Sequence, residues 1–309
     1  MRNKESGFSL IELMIAMTLS LVLIAMILSV FINSINNQQI RNAIGSLQEN
    51  SRFASHFFSR DFRSLGFWGC LEGGEAEVNV VSKAGGAIGD QLNTLQGSLL
   101  ATDGVSDTIE ILTILDQSFP LSANMASISS DISITGSTFE VDDEVLIGDC
   151  NRADIFTISK KTGNLFEHKS TKNLSNDLSY PYNENAKTYP IVKITYHIIT
   201  DADGSKSLFR KLNNEAGDGI ELISDVEDMQ VLYGLADADG NLTGYTPESD
   251  INAADFSDVI SVRISLLLSS AEVLSEPVGY RFNGTNVMPT DKKMRRVFNA
   301  TYTLRNRIN

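Results

Sequence analysis

The stretch Gly7-Phe-Ser-Leu-Ile-Glu12 leads directly into twenty residues without a charge, Leu13–Ile32. A helix rises about 1.5 Å per residue, so this run would span about 30 Å, the thickness of the hydrocarbon core of a bilayer. The run is longer than the apolar region of a secretory signal, and no small-x-small cleavage site follows it. The sequence therefore predicts a membrane helix over residues 8–32 that is retained in the working protein.

A short basic leader, residues 1–7, precedes the helix, and one carboxylate lies at the helix start. Arg2 and Lys4, opposed by Glu5, favour a cytoplasmic N-terminus with the rest of the chain across the membrane. Glu12 is costly if it is buried in lipid, by about 2.5–3.5 kcal/mol at the centre of a membrane helix. Two interpretations stay open: an interfacial charge without a role, or a partner for a cation supplied by another copy of the helix.

The remaining chain has the composition of a compact acidic body. About 240 residues are enough for one substantial domain or two small ones. The net charge of −14 disfavours nonspecific binding to nucleic acid or anionic lipid. The two cysteines, Cys70 and Cys150, would form a disulfide in an oxidising compartment, with two separate buried thiols as the alternative.

An amphipathic helix pattern continues beyond the membrane segment and predicts a stem over residues 33–66. Gly66 offers an end to this helix. The aromatic residues Phe57, Phe58 and Phe62 are interpreted as core packing. The apolar positions recur at steps of three or four residues, with one gap at Ser51: Ile40, Ile44, Leu47, Ala54, Phe58, Phe62 and Leu65.

Residues 67–309 change to short apolar runs between polar turns, which predicts a β-rich globular domain of antiparallel strands. Asp201-Ala-Asp-Gly204 separates two of these runs and predicts a hairpin turn. The fold class is therefore α+β, a long helical stem packed on strands. The predicted strands are 108–115, 139–147, 154–159, 191–199, 207–212, 220–223, 229–235, 259–268 and 296–304.

The search for catalytic chemistry is negative. His56, His168 and His197 are scattered along the chain, and surface or core roles suit them better than metal ligation. The sequence contains no His-Glu-x-x-His, no Gly-x-Ser-x-Gly and no phosphate-binding Gly-x-x-x-x-Gly-Lys. We therefore expect neither an enzyme nor a bound cofactor.

One acidic segment resembles a fragment of a calcium loop. Its candidate ligands are Asp237, Asp239 and Asn241, but an EF-hand loop needs glycine at its sixth position, where Leu242 stands. Turn formation explains the segment equally, because Asp and Gly adopt the dihedral angles that turns require.

One basic run, Lys292-Lys-Met-Arg-Arg296, stands out against the acidic composition. Three interpretations are open: a solvated face, a docking surface for an acidic neighbour, or contact with DNA phosphates. The run lacks the interleaved aromatic residues of a single-strand binding groove, so direct binding of nucleic acid is not expected.

The N-terminal residues resemble the type IV prepilin signature, carried here by Gly7, Phe8 and Glu12 with Phe-Ser-Leu-Ile between Gly7 and Glu12. The resemblance implies that a membrane prepilin peptidase cuts between Gly7 and Phe8 and that Phe8 is then N-methylated. It also implies that Glu12 interacts with the N-terminal amine of a neighbouring subunit during assembly.

Four further segments resemble the PilW group of minor pilins: 61–70, 146–156, 226–234 and 295–307. This resemblance implies a type IV pilin-like fold and a role in pilus assembly, in a priming or tip complex. The implied location is the inner membrane, crossed once, with the globular domain in the periplasm and later incorporation into a surface pilus. The implied partners are other minor pilins, the major pilin, the inner-membrane assembly platform and the lipid bilayer.

Two alternatives to this function remain at the level of sequence. The group is similar to GspJ, a minor pseudopilin of type II secretion, which has the same kind of stem and body. A membrane-anchored adhesin or DNA-binding pilus subunit would also fit the anchor. The resemblance leaves open whether the pilus serves twitching motility, adhesion or competence.

Overall fold

A computed structural model describes residues 9–65, 69, 77–83, 99–102, 106–114, 117–213, 217–251 and 258–304. Its elements are α1 Leu10–Arg63, β1 Glu77–Val80, β2 Leu99–Thr102, β3 Thr108–Ile114, β4 Phe119–Pro120, β5 Ile132–Ser133, β6 Glu144–Asp149, β7 Arg152–Thr157, β8 Lys160–Thr162, β9 Leu165–Glu167, β10 Lys187–Thr200, β11 Lys206–Leu212, β12 Ile220–Ser224, β13 Val226–Ala236, β14 Leu242–Thr246, β15 Val259–Glu272, β16 Tyr280–Phe282, β17 Thr285–Val287 and β18 Lys293–Thr303. One 3-10 turn, Glu248–Asp250, lies between β14 and β15.

One long N-terminal helix followed by strands confirms the predicted α+β fold. Helix α1 joins the apolar run and the amphipathic pattern without a break from Leu10 to Arg63. It ends at Arg63, slightly before the predicted end, and Gly66 lies outside the described residues. Within the described part of the chain, α1 is long and apolar enough to cross a membrane.

The chain divides into two compact units. The first unit comprises residues up to Glu49 together with Ser269–Arg295, and the second comprises Asn50–Leu268 together with residues from Arg296 onward. This grouping by contacts does not test the predicted boundaries at residues 7, 32 and 66, which stay predictions.

Strand β10 is the centre of the largest sheet in the second unit. Its first residues pair with β4 and β6, and its later residues pair with β3 and β11. The predicted hairpin is confirmed: β10 and β11 are antiparallel, with Thr200 opposite Lys206. Gly204 takes a φ of +85° in the connecting turn, a left-handed conformation that glycine adopts without steric cost. Among the described residues, the strand order along this sheet is β1-β7-β6-β10-β11-β12.

One pairing departs from the expected antiparallel arrangement. Strand β1 runs parallel to β7, with Glu77 opposite Arg152 and Val80 opposite Ile155. A parallel neighbour requires a long crossover connection, here the chain between residues 80 and 152, so a local turn signal does not announce it.

Two smaller sheets complete the described part of the second unit. One has the order β14-β13-β15-β18, in which β13 pairs antiparallel with both β14 and β15. The other has the order β5-β9-β8, with antiparallel pairing throughout.

Residues 50–63 of α1 belong to the second unit and pack on its strands through one face. Ala54, Phe58 and Phe62 on this face are buried at the four-residue steps of the predicted pattern, and Leu65, two residues beyond the helix, is buried as well. The Phe58 ring lies 4.7 Å from Tyr196 of β10, measured between ring centroids, and the Phe62 ring stacks 5.2 Å from Tyr302 of β18.

The expected packing of the phenylalanine cluster is only partly correct. Phe58 and Phe62 are core residues, but Phe57 is half-buried and its neighbour Phe53 is 45% exposed. Successive residues on a helix point about 100° apart, so Phe57 faces away from the stripe that contains Phe58.

In the first unit, Ala43 and Leu47 of α1 are buried, whereas Ile44, a position of the predicted apolar pattern, is 38% exposed. The periodicity predicted an apolar stripe but not which residues at its edge are covered. The strands β16 and β17 of the same unit form a two-stranded antiparallel hairpin, with Phe282 opposite Thr285.

Candidate functional site

The N-terminal turn of α1 contains the predicted assembly residue. The Ser9 backbone N–H donates to Oε2 of Glu12 at 3.0 Å, and the Leu13 N–H donates to the Ser9 carbonyl at 3.1 Å. Ser9 and Glu12 thus have the spacing of a capping box, in which a glutamate at the third helical position accepts from the N-cap backbone. Glu12 therefore caps its own helix as well as carrying a negative charge near the positive end of the helix dipole. Gly7 and Phe8, the predicted cleavage pair, lie outside the described residues.

The apolar part of α1 has large hydrophobic side chains on every side. Residues such as Leu10, Leu19 and Val30 are 60–75% exposed in the isolated chain. Water would hydrate these side chains at a high cost in free energy, about 25 cal/mol for each Å² of apolar surface. An apolar environment is therefore needed to cover this segment.

The hydroxyl groups in the apolar run are satisfied inside the helix. Thr18 Oγ1 donates to the Ile15 carbonyl at 2.9 Å, and Ser20 Oγ donates to the Ala16 carbonyl at 2.7 Å. A polar group in hydrocarbon needs such an internal partner, because water is absent there. These two residues are therefore compatible with a membrane segment.

A buried carboxylate connects the end of α1 to the sheet of the second unit. Asp61 is 3% exposed and accepts hydrogen bonds from Tyr196 Oη on β10, at 2.5 Å, and from Arg210 Nε on β11, at 2.7 Å. Arg60 Nε donates to its other oxygen at 2.9 Å. Burial, together with the negative charge of Asp61, raises the pKa of the Tyr196 hydroxyl. Asp61 thus attaches α1 to two neighbouring strands.

Sequence reasoning did not single out Asp61, although a signal for it existed. Asp61 follows Phe58 by three residues and precedes Leu65 by four, so it occupies the apolar face of the helix. An acidic residue at a core-facing helix position needs a partner, because burial of an unpaired charge is strongly unfavourable.

A second buried carboxylate holds the loop that precedes β10. Asp154 on β7 is fully buried and accepts from Tyr182 Oη and Ser179 Oγ, both at 2.7 Å, and from Asn79 Nδ2 at 2.5 Å. Burial raises the pKa of the Tyr182 hydroxyl, and the nearby Asp154 adds to this effect. These donors come from β1 and from the loop before β10, so the carboxylate joins both of them to β7.

The three histidines lie on different parts of the fold: His56 on α1, His168 directly after β9 and His197 on β10. His56 is exposed on α1. His168 is buried, and its Nε2 donates to the Ser130 carbonyl at 2.9 Å, while burial lowers the pKa of its ring. His197 lies on β10 against Phe209, and partial burial lowers its pKa as well.

The acidic segment proposed as a calcium fragment forms the turn between β13 and β14. Oδ1 of Asp237 accepts from the backbone N–H groups of Asp239 at 3.0 Å and of Asn241 at 2.8 Å. This is the turn geometry offered as the alternative to calcium binding. Among the residues that the structure describes, no group of three His, Cys, Asp or Glu side chains is placed to hold a metal ion.

One residue of the basic run at 292–296, Arg295, forms contacts within the protein. Arg295 makes a two-bond ion pair with Asp291, at 2.7 and 2.6 Å, and its guanidinium lies 5.2 Å from the centre of the Tyr280 ring. The hydrogen bonds from Arg295 lower the pKa of Asp291 to about 2. This arginine therefore supports the chain around it and is not available to DNA phosphates.

Of the two cysteines, the structure describes Cys150. Cys150 lies in the tight turn between β6 and β7. Cys70 lies outside the described residues, so its pairing with Cys150 stays a prediction.

A basic groove runs along the exposed side of α1 in the second unit. It has a volume of about 760 Å³. Arg52, His56 and Arg63 follow one another at helical steps of four and seven residues, so they lie along one face. The lining is completed by Ser51, Ser55, Ser59 and Arg60 of α1 and Phe298 of β18.

Two protein-family models match the chain. Residues 195–306 match the family described as Type IV Pilus-assembly protein W, PilW. Residues 2–28 match the prokaryotic N-terminal methylation motif. The first match covers the chain from the second half of β10 to β18. The second covers the N-terminal turn with Glu12 and most of the apolar run.

Among solved structures, a type IV-like pilin from Thermus thermophilus aligns with this chain at 9% sequence identity and a TM-score of 0.36. The alignment covers 85% of this chain and 98% of that pilin. No curated protein matches the chain significantly.

Proposed function

We propose that this chain is a minor pilin of type IV pili in the PilW group, which its two family matches support. It is processed at its N-terminus and then assembles through its apolar helix. The prepilin peptidase would cut between Gly7 and Phe8, and Phe8 would be methylated. The first seven residues would be removed as a leader. The role is assembly, not catalysis, within a priming or tip complex.

The single observation that carries this proposal is the exposed apolar surface of α1 behind one carboxylate. The Leu10–Ile32 segment is covered by no part of the described chain, so it needs lipid before assembly and other subunits afterwards. Glu12 lies at the entrance of this segment, where a carboxylate reaches the interface at less cost than at the bilayer centre. Docking on the N-terminal amine of an adjacent subunit would neutralise both charges as the helices pack.

The location proposed for the protein follows from the same segment. The apolar helix and the methylation motif fit a membrane-anchored pilin. Arg2 and Lys4 favour a cytoplasmic N-terminus, so the strand-rich body would lie in the periplasm and would enter the surface pilus on assembly. Its partners would be other minor pilins, the major pilin and the assembly platform of the inner membrane. The match over residues 195–306 favours this pilus role over a pseudopilin of type II secretion.

The role of Glu12 is tested with two substitutions that separate its charge from its capping bond. Glu12→Gln keeps an oxygen that accepts from the Ser9 N–H but removes the charge, whereas Glu12→Ala removes both. If the charge docks on a neighbouring amine, both variants insert into the membrane and lose most surface pili. If capping alone matters, Glu12→Gln assembles normally.

The measurements are counts of surface pili by electron microscopy, membrane fractionation of each variant, and the intact mass of the protein. The intact mass reports removal of residues 1–7 and methylation of Phe8 independently of pilus formation. Normal piliation in the Glu12→Ala variant contradicts the proposed docking role, and an unprocessed N-terminus contradicts the proposed maturation.

A further inference from the structure

We propose that the basic groove on α1, lined by Arg52, His56, Arg63 and their neighbours, is a docking surface for an acidic segment of a different pilin subunit. The inference rests on the proposed function only in taking the partner to be another subunit. It concerns a surface separate from the Glu12 end of the helix, and neither family match, over residues 2–28 and 195–306, includes the groove residues of α1.

The first observation is charge on an otherwise acidic chain. The protein has a net charge of −14, yet Arg52, Arg60 and Arg63 lie on one side of α1 within twelve residues. Among the described residues, the Arg52 and Arg63 guanidinium groups have no ion-pair partner, whereas Arg60 is paired with Asp61. Two exposed and unpaired arginines along one groove attract a partner that carries carboxylates. Each guanidinium can donate two parallel N–H···O hydrogen bonds to one carboxylate.

The second observation is aromatic surface beside the arginines. Phe53 is 45% exposed, and its ring lies 4.9 Å from that of Phe57. The Arg60 guanidinium covers the Phe57 ring at 5.0 Å, and His56 meets the same ring edge-on. Aromatic residues and arginine are the side chains enriched at the centres of protein interfaces.

The dimensions of the groove set the size of the occupant. Arg52 and Arg63 are eleven residues apart, which corresponds to about 16 Å along the helix. An extended chain advances about 3.3 Å per residue, so the groove suits a strand or loop of about five residues. Its occupant would place carboxylates near both ends and a small or apolar side chain toward Phe298.

Charge and geometry disfavour two other occupants. A second copy of this chain, or a nucleic acid, would bring a large negative charge that the net −14 of this protein repels at long range. Nucleic acid would also need open ring faces for base stacking, and the Phe57 ring is already covered by Arg60. Neither the long-range repulsion nor the need for open ring faces applies to a subunit that has a local acidic segment and a smaller overall charge.

The test places a photo-crosslinking aromatic residue, p-benzoylphenylalanine, at Phe53 of the full-length chain in piliated cells. We expect a crosslink to an acidic segment of another pilin subunit, located by mass spectrometry of the joined peptides. Arg63→Glu should lower the crosslink yield about tenfold. Lys187→Glu is the matched control, since Lys187 is exposed, lies outside the groove lining and undergoes the same change of charge.

A charge swap then completes the test. Reversal of the crosslinked acidic residue in the partner to lysine should restore the yield of the Arg63→Glu chain. A crosslink to DNA, to a second copy of this chain or to an uncharged segment overturns the proposal, as does a yield that Arg63→Glu leaves unchanged. If Glu12→Ala assembles normally while the Arg63→Glu effect persists, the proposed docking role of Glu12 fails and the docking surface stands.

Discussion

Replacement of Asp61 by alanine removes the carboxylate that joins α1 to β10 and β11. Its side chain is 4% exposed, and that of its partner Arg210 is 11% exposed. The variant leaves the Arg210 charge without a counterion and the fully buried Tyr196 hydroxyl without its acceptor. Removal of one member of a buried ion pair costs about 3–5 kcal/mol, and the lost Tyr196 bond is part of the same network. We therefore expect the free energy of unfolding to fall by about 3–5 kcal/mol.

The neighbouring residue Arg60 provides the matched control. It contacts the same carboxylate at 2.9 Å, but its side chain is 52% exposed. Exposed ion pairs contribute about 0–1 kcal/mol, so Arg60→Ala should have a small effect on stability. The two variants thus compare a buried and an exposed partner of one carboxylate.

A double variant separates the contribution of the ion pair to stability from the cost of leaving one buried charge unpaired. Asp61→Ala combined with Arg210→Met removes both buried charges, and the double variant should be more stable than Asp61→Ala alone. The assay is chemical denaturation of the full-length chain in detergent micelles, followed by near-ultraviolet circular dichroism of the aromatic core. The reasoning is refuted if Asp61→Ala costs less than about 1 kcal/mol, or if the double variant is no more stable than the single one.

Three further predictions concern titration and covalent structure. Burial holds the pKa of His168 below its ordinary value of 6.5, so its contribution to stability is complete above pH 6.5 and is lost as the pH falls toward the folded-state pKa. His168→Gln should therefore flatten the pH dependence of the free energy of unfolding in that window. An unchanged slope would oppose this assignment. The pKa of Asp291 is about 2, and Arg295→Gln should return it toward 3.8, which carbon NMR of the side-chain carboxylate would follow; a value still near 2 would show that Arg295 is not the cause. A digest of the unreduced protein should contain the peptides of Cys70 and Cys150 joined together, and recovery of both as free thiols would rule out the bond.

Features of the fold that depend on neighbouring residues were predictable from the sequence. The apolar run and the amphipathic pattern predicted α1 almost to its end, because helix formation follows local periodicity. The Asp201–Gly204 turn predicted the β10–β11 hairpin for the same reason, since two adjacent strands need a short turn with suitable dihedral angles.

Features that depend on distant contacts were not predictable in this way. The parallel neighbour of β7 is separated from it by a long crossover, and no local pattern identifies it. Ala43 rather than Ile44 is buried, and Phe57 remains partly exposed, because the position of a neighbouring element decides which side of the stripe is covered. The arginine spacing of the basic groove was readable, but its character as a groove required Phe298 from β18.

The N-terminal signature shows what the sequence determined by itself. Glycine, glutamate and the apolar run lie within one continuous segment, so their order along the chain already states their spatial relation. The Asp61 cluster shows what only the tertiary structure decided. Tyr196 and Arg210 follow Asp61 by 135 and 149 residues, and they meet it only because antiparallel pairing places Tyr196 opposite Arg210. Strand register across the sheet, which no local pattern specifies, turns three separate polar residues into one buried contact.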